Sequence, residues 1–291
     1  MLSWPGPNFV WSRSRFAILL MLFLGVGGVA ETTPAALGQQ RTTTTVVRNA
    51  RDHSHFDQLL AHFVNEEGQV DYTGLQAAAD STLLPYLQHL ASAELSDLGR
   101  NARLAFWINA YNALTLKLIL DHYPVKTIWA VTPGPPEPKE NSPFEREVGT
   151  VADTARTLDE IEHEIIRKRF EEPRIHFALV CAAKSCPPLR REAYTGARLD
   201  AQLDDQTRSF LHDGENNQIP AGKETIALTR ILKWYSEDFG STTDALQRFA
   251  APYFEGAVAR KLAEAAYEVT FLPYDWSLNA QSSVQASPME R

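Results

Sequence analysis

The sequence predicts an α+β fold: a predominantly helical single domain with a small sheet that contains strands at 175–181 and 268–272. Three observations carry this prediction. Apolar residues recur at helical spacing through most of the chain, strand-like runs are few and short, and strands do not alternate regularly with helices as a doubly wound sheet requires. With 291 residues, 44% of them apolar, the chain can bury a sizeable core. Two cysteines are too few to build a disulfide scaffold, so that core must hold the fold.

The N-terminus reads as an address. Arg13 and Arg15 precede an uncharged apolar run over 16–30, with Gly28 and Ala30 spaced like a signal-peptidase site. Residues 1–30 are therefore expected to be a cleaved export signal. The run is shorter than the roughly 20 apolar residues a membrane span needs, so no stable membrane insertion is expected after cleavage. Residues 31–52, rich in Thr, Ala and Gln, are expected to be a flexible linker, 53–279 the domain and 280–291 a disordered tail. The implied location is periplasmic or secreted. A formal charge of −8 without a lysine/arginine cluster argues against nucleic acid and anionic membrane as partners.

Along the domain, Phe56, Leu59, Leu60 and Phe63 mark a first helix, and Gly68 then opens a short Val70-Asp71-Tyr72 segment. The clearest helix covers 101–122 and stops before Pro124, because a residue preceding proline is pushed out of the helical region. Leu104, Ile108, Tyr111, Thr115 and Leu118 form one stripe of this helix; Ala105, Asn109, Asn112 and Leu116 form another. It is thus expected to be buried on most sides, with both asparagines hydrogen-bonded. Five prolines and a glycine within 132–143 predict a loop, either a lid or a surface excursion. Thr157-Leu158-Asp159-Glu160 matches a capping box that opens a helix to 169, with Leu158, Ile161 and Ile165 inward and His163 on the polar side. Further helices are expected at 199–212, 228–239, 242–254 and 256–267, and a strand at 268–272.

The chemistry concentrates at Cys181 and Cys186, near the end of the apolar run that Pro187-Pro188 stops. A thiol there can be a nucleophile, a redox partner or half of a Cys181–Cys186 disulfide. Metal binding is not expected, since a zinc site wants four ligands and only His176, Cys181 and Cys186 are close in sequence. No cofactor is implied. On a strand, His176 and Cys181 face opposite sides and lie roughly 16 Å apart, which disfavours a direct pair. His163 is then the expected base for Cys181, with Asn109 as orienter or oxyanion donor. Asn112, His176 and Ser185 complete the expected binding residues.

These residues resemble one family closely, the domain of unknown function numbered 547. The resemblance rests on Ala105-Phe106-Trp107-Ile108-Asn109-Ala110-Tyr111-Asn112-Ala113-Leu114, Ile161-Glu162-His163, Pro173-Arg174-Ile175-His176-Phe177-Ala178-Leu179-Val180-Cys181 and Ser185-Cys186-Pro187. It continues through Ile231-Leu232-Lys233-Trp234-Tyr235 and Tyr274-Asp275-Trp276-Ser277-Leu278-Asn279. The resemblance implies no established reaction. It does imply that Cys186 is the more dispensable cysteine, because plant-branch members often carry serine or aspartate there. A thiol with Asn and His companions also looks faintly like papain-like and transglutaminase-like enzymes, although His before Cys departs from their usual order. The leading expectation is a thiol-dependent hydrolase or acyl-transfer domain acting on a small-molecule or peptide ligand. The alternatives are a non-catalytic extracytoplasmic binding module with structural cysteines and a dithiol redox protein.

Overall fold

The computed structural model describes residues 49–132 and 142–282. The expected signal over 1–30, the linker up to 48, the loop over 133–141 and the tail from 283 lie outside the described residues. The fold is α+β and mostly helical.

Helices α1 (Ser54–Phe63), α2 (Tyr72–Ala78) and α3 (Leu83–Ala91) lead into α4 (Arg100–Leu120), the longest helix described. The two apolar stripes of α4 do what their spacing predicts: every residue from 104 to 116 is buried, both asparagines included. Phe56 of α1 stacks on Tyr86 of α3 at 4.8 Å, and α3 packs on α4. Strands β1 (Glu147–Val151) and β2 (Thr154–Thr157) then form an antiparallel hairpin that the sequence did not announce. Its turn residues Ala152 and Asp153 are both in the left-handed region. Their N–H groups cap the end of α3, donating to Leu90 O at 2.9 Å and Ala91 O at 2.8 Å.

The capping box at Thr157 is reciprocal. Glu160 N donates to Thr157 Oγ1 at 2.9 Å, and Thr157 N donates to Glu160 Oε2 at 3.2 Å. The helix it opens is a π-helix over Glu160–Arg167, continued by α5 (Lys168–Phe170). Sustained π-geometry is rare and concentrates at functional sites. After a 3₁₀ turn over Pro173–Phe177, α6 (Leu199–Leu211) closes the first half.

In the second half, β3 (Thr225–Leu228) pairs in parallel with β4 (Glu268–Phe271). Between them lie α7 (Arg230–Trp234), a 3₁₀ turn over Ser236–Phe239, α8 (Thr243–Ala250) and α9 (Gly256–Ala263). Leu228, Leu232, Phe239, Leu246 and Leu262 form their common core, which Phe177 and Phe210 join. The helix expected over 228–239 starts later and is shorter: Leu228 belongs to β3, Thr229 caps α7 by accepting from Ile231 N, and α7 ends at Trp234 before the 3₁₀ turn.

The expected strand at 175–181 is corrected. Pro173 starts a tight 3₁₀ turn, and Glu172 caps it by accepting from Arg174 N. Among the described residues no strand pairs with the stretch that follows; the Asn112 side chain takes a strand's place, donating from Nδ2 to Ala178 O at 2.9 Å and accepting from Val180 N at 2.9 Å. Apolar content alone does not separate a buried strand from a buried irregular segment. The parity argument that set His176 against Cys181 loses its premise with the strand. Among the described residues no helix is long and apolar enough to cross a membrane.

Candidate functional site

Cys181 and Cys186 are joined by a disulfide. The loop between them is stitched to the segment over 274–279. Lys184 N donates to Ser277 O at 2.8 Å, Asn279 N to Ala182 O at 3.0 Å, and Ser185 N to Asp275 O at 3.2 Å. Asp275 N returns a bond to Ser185 Oγ at 3.0 Å. Ala182 adopts φ 62°, a left-handed conformation that costs a non-glycine residue roughly 1–2 kcal/mol and here completes the turn. Pro188, which ends the segment, lies against Gly68: a Cβ at Gly68 would come within 2.4 Å of the Pro188 Cβ.

The two sulfurs are not equivalent. Cys186 is buried and Cys181 half-buried. Cys186 Sγ accepts from Cys181 N at 3.0 Å and from Tyr274 Oη at 3.2 Å, while Tyr274 Oη lies 3.3 Å from Cys181 Sγ. Burial pushes the Tyr274 hydroxyl far above its ordinary range, so it stays protonated and available to donate.

A polar network within electrostatic reach of Tyr274 joins the π-helix to its neighbours. Glu162, on the π-helix, is buried near Tyr111 and Tyr235; burial, then the charge of Glu162, raises both phenols. Asp238 accepts from Arg167 Nε at 2.6 Å, Arg167 Nη2 at 2.8 Å and His176 Nε2 at 2.6 Å. Burial alone would raise the Asp238 carboxyl, but the bonds from His176 and Arg167 outweigh it and hold the group well below the usual carboxylate range. Burial lowers His176 despite Asp238. It therefore serves Asp238 as a neutral Nε2–H donor, and Arg167 supplies the opposing charge. The His176 ring stacks on Tyr235 at 3.9 Å.

The expected residues fall into separate groups. Asn109 spends both ends of its amide on Tyr194, donating to its carbonyl at 2.8 Å and accepting from its N–H at 2.9 Å. Asn112 holds the backbone before Cys181, and Ser185 holds Asp275. His163 Nδ1 accepts from Arg167 Nη1 at 2.9 Å and its Nε2 lies 3.5 Å from Asp159, so its acceptor nitrogen is committed. Burial, more than the neighbouring His163, sets Asp159, whose carboxyl is raised. Among the described residues no group of His, Cys, Asp and Glu could hold a metal ion.

Sequence reasoning missed Tyr274, Glu162, Tyr235, Arg167 and Asp238. A signal for Glu162 existed: it lies four residues after Leu158 and four before Ile166, inside the apolar stripe. Tyr274 was marked only by its place in the Tyr274-to-Asn279 motif of the resemblance, and nothing local tied it to Cys181, 93 residues away.

Residues 95–211 match the family model described as "Protein of unknown function, DUF547". The match contains α4, the π-helix and both cysteines. No curated protein and no solved structure matches the chain.

Proposed function

Since the DUF547 model that residues 95–211 match is described only as of unknown function, the reaction has to be argued from the chain's own residues, and we propose that Cys181 and Cys186 form a thiol–disulfide exchange site. One observation carries the reading: a half-buried cysteine is bonded to a buried one whose sulfur receives two hydrogen bonds. Exchange rates depend on which sulfur is accessible and on how readily the other leaves as thiolate. An incoming thiolate attacks Cys181 Sγ. The new S–S bond forms as the Cys181–Cys186 bond breaks, and the electron pair departs on Cys186 Sγ, under the N–H of Cys181 and the hydroxyl of Tyr274. A second thiolate of the same dithiol partner then attacks the partner's sulfur in the mixed disulfide and releases Cys181. The partner is oxidised to a disulfide, and the Cys181–Cys186 pair takes up two electrons and two protons.

An oxidising compartment, such as the export signal would reach, fits a pair held in the oxidised state. The acyl-transfer reading has less support, because the polar atoms of Asn109 and the acceptor nitrogen of His163 are engaged elsewhere.

The test is equilibration of the native protein in glutathione buffers, followed by acid quench and alkylation. The pair is expected to titrate reversibly, and Cys186→Ser to trap a mixed disulfide through Cys181. A pair that stays oxidised while the protein remains folded would assign the chain to the non-catalytic binding modules. Cleavage of a thioester or peptide by the reduced protein, lost in Cys181→Ser and His163→Ala, would restore acyl transfer.

A further inference from the structure

The described residues contain four tryptophans, Trp107, Trp129, Trp234 and Trp276, and the last three gather in one place. Trp276 meets Trp129 edge-on at 5.3 Å, lies over Trp234 at 5.9 Å and touches Tyr274 at 4.6 Å; Tyr274 in turn meets Trp234 at 4.8 Å. All four rings are half-buried. The cluster is continuous with the disulfide, because Tyr274 is the side chain that contacts both sulfurs.

Exposed lysines adjoin the cluster, and the buried Glu162 acts on Tyr274 from within the fold. Lys126, Lys184 and Lys233 are exposed. Lys126 O accepts from Leu278 N at 2.8 Å, and Lys184 N donates to Ser277 O at 2.8 Å, so the main chain of both lysines adjoins the segment that carries Trp276. Lys233 precedes Trp234 and places its Nζ over the Phe271 ring. The acid in this segment, Asp275, spends one oxygen on Ser277 N at 2.8 Å and feels Lys184. Three exposed lysines thus stand on the backbone segments that carry or adjoin the aromatic cluster, on a chain of formal charge −8.

Tryptophan and tyrosine dominate binding surfaces because they bring large rigid area at small entropic cost. We propose that this platform is the docking surface of the Cys181–Cys186 site, and that it takes an extended polypeptide segment carrying a cysteine beside an aromatic side chain, with an acidic residue alongside. The inference rests on the exchange reading. The reactive sulfur selects a thiol-bearing partner, the rings hold the aromatic side chain and the lysines attract its carboxylates.

The probe is a blocked peptide in the order Asp, Phe, Cys, Gly, Asp, used with the oxidised full-length protein. Three further versions replace Cys by Ser, Phe by Ser, or both Asp by Lys. The parent peptide should form a mixed disulfide at least about tenfold faster than the Phe-less and Lys versions at equal thiolate concentration. The Ser-for-Cys version should quench tryptophan fluorescence saturably, and Trp276→Phe should reduce the ratio of peptide rate to small-thiol rate. Equal rates for all thiols, with no quenching, would overturn the docking surface while leaving exchange standing. Quenching by the Ser version without exchange by the parent would sustain docking and sink the exchange reading. Quenching by an oligosaccharide and by none of the peptides would overturn this occupant.

Discussion

Asn109 and Asn112, three residues apart on α4, each hold a remote stretch of backbone with both ends of one amide. Truncating Asn112 leaves Ala178 O and Val180 N buried without a partner, at a cost of about 2–4 kcal/mol for two lost bonds. Asn112→Ala should therefore lower the unfolding free energy by that amount in urea, and a change below about 0.5 kcal/mol would contradict the clamp. Tyr274→Phe removes a donor from Cys186 Sγ and keeps the ring; mixed-disulfide formation should slow about five- to tenfold, read by stopped quench. At this scale the sequence was half legible. The stripes of α4 require its asparagines to be bonded, but nothing local names Tyr194 or Ala178 as the partners.

At the scale of elements, Asp238 ties the 3₁₀ turn over 236–239 to the π-helix through Arg167 and to the turn over 173–177 through His176. Its depressed carboxyl contributes stability that is present above the unfolded value near pH 4 and lost as pH falls further. Asp238→Asn should cost about 1–3 kcal/mol at pH 7 and lose that difference in strong acid, measured by denaturant titration at several pH values. The junction of α1 with α3 responds in the same direction by a different route. His53, at the start of α1, is held 2.8 Å from Tyr86 Oη, and burial, reinforced by His89, lowers it to about 4. The unfolded chain binds the proton first, so stability is intact above about pH 6.5 and falls towards pH 4 by about 3 kcal/mol. His53→Gln should flatten that slope between pH 6.5 and 4; an unchanged slope would place its origin elsewhere. Helix starts were readable because caps are local, as at Thr157, whereas the 3₁₀ turn at 173–177 looked like a strand because both are short, apolar and buried.

For the molecule as a whole, the disulfide closes a span of only five residues, so reducing it should cost about 2 kcal/mol and leave the fold standing on its core. Circular dichroism and urea unfolding with and without reductant measure this; wholesale unfolding on reduction would show the bridge to be structural. Local patterning was enough to reveal a helical α+β chain, the buried α4 and the capping box. It did so because helix period, caps and proline stops act within one or two turns. Patterning says which face a side chain presents, not what meets it there. That Cys181 pairs with Cys186, that Asn112 stands in for a strand, and that Tyr274 returns over 93 residues to both sulfurs are products of packing. Long-range partners are chosen by burying surface and satisfying polar groups together, and that sum exists only once the chain has closed.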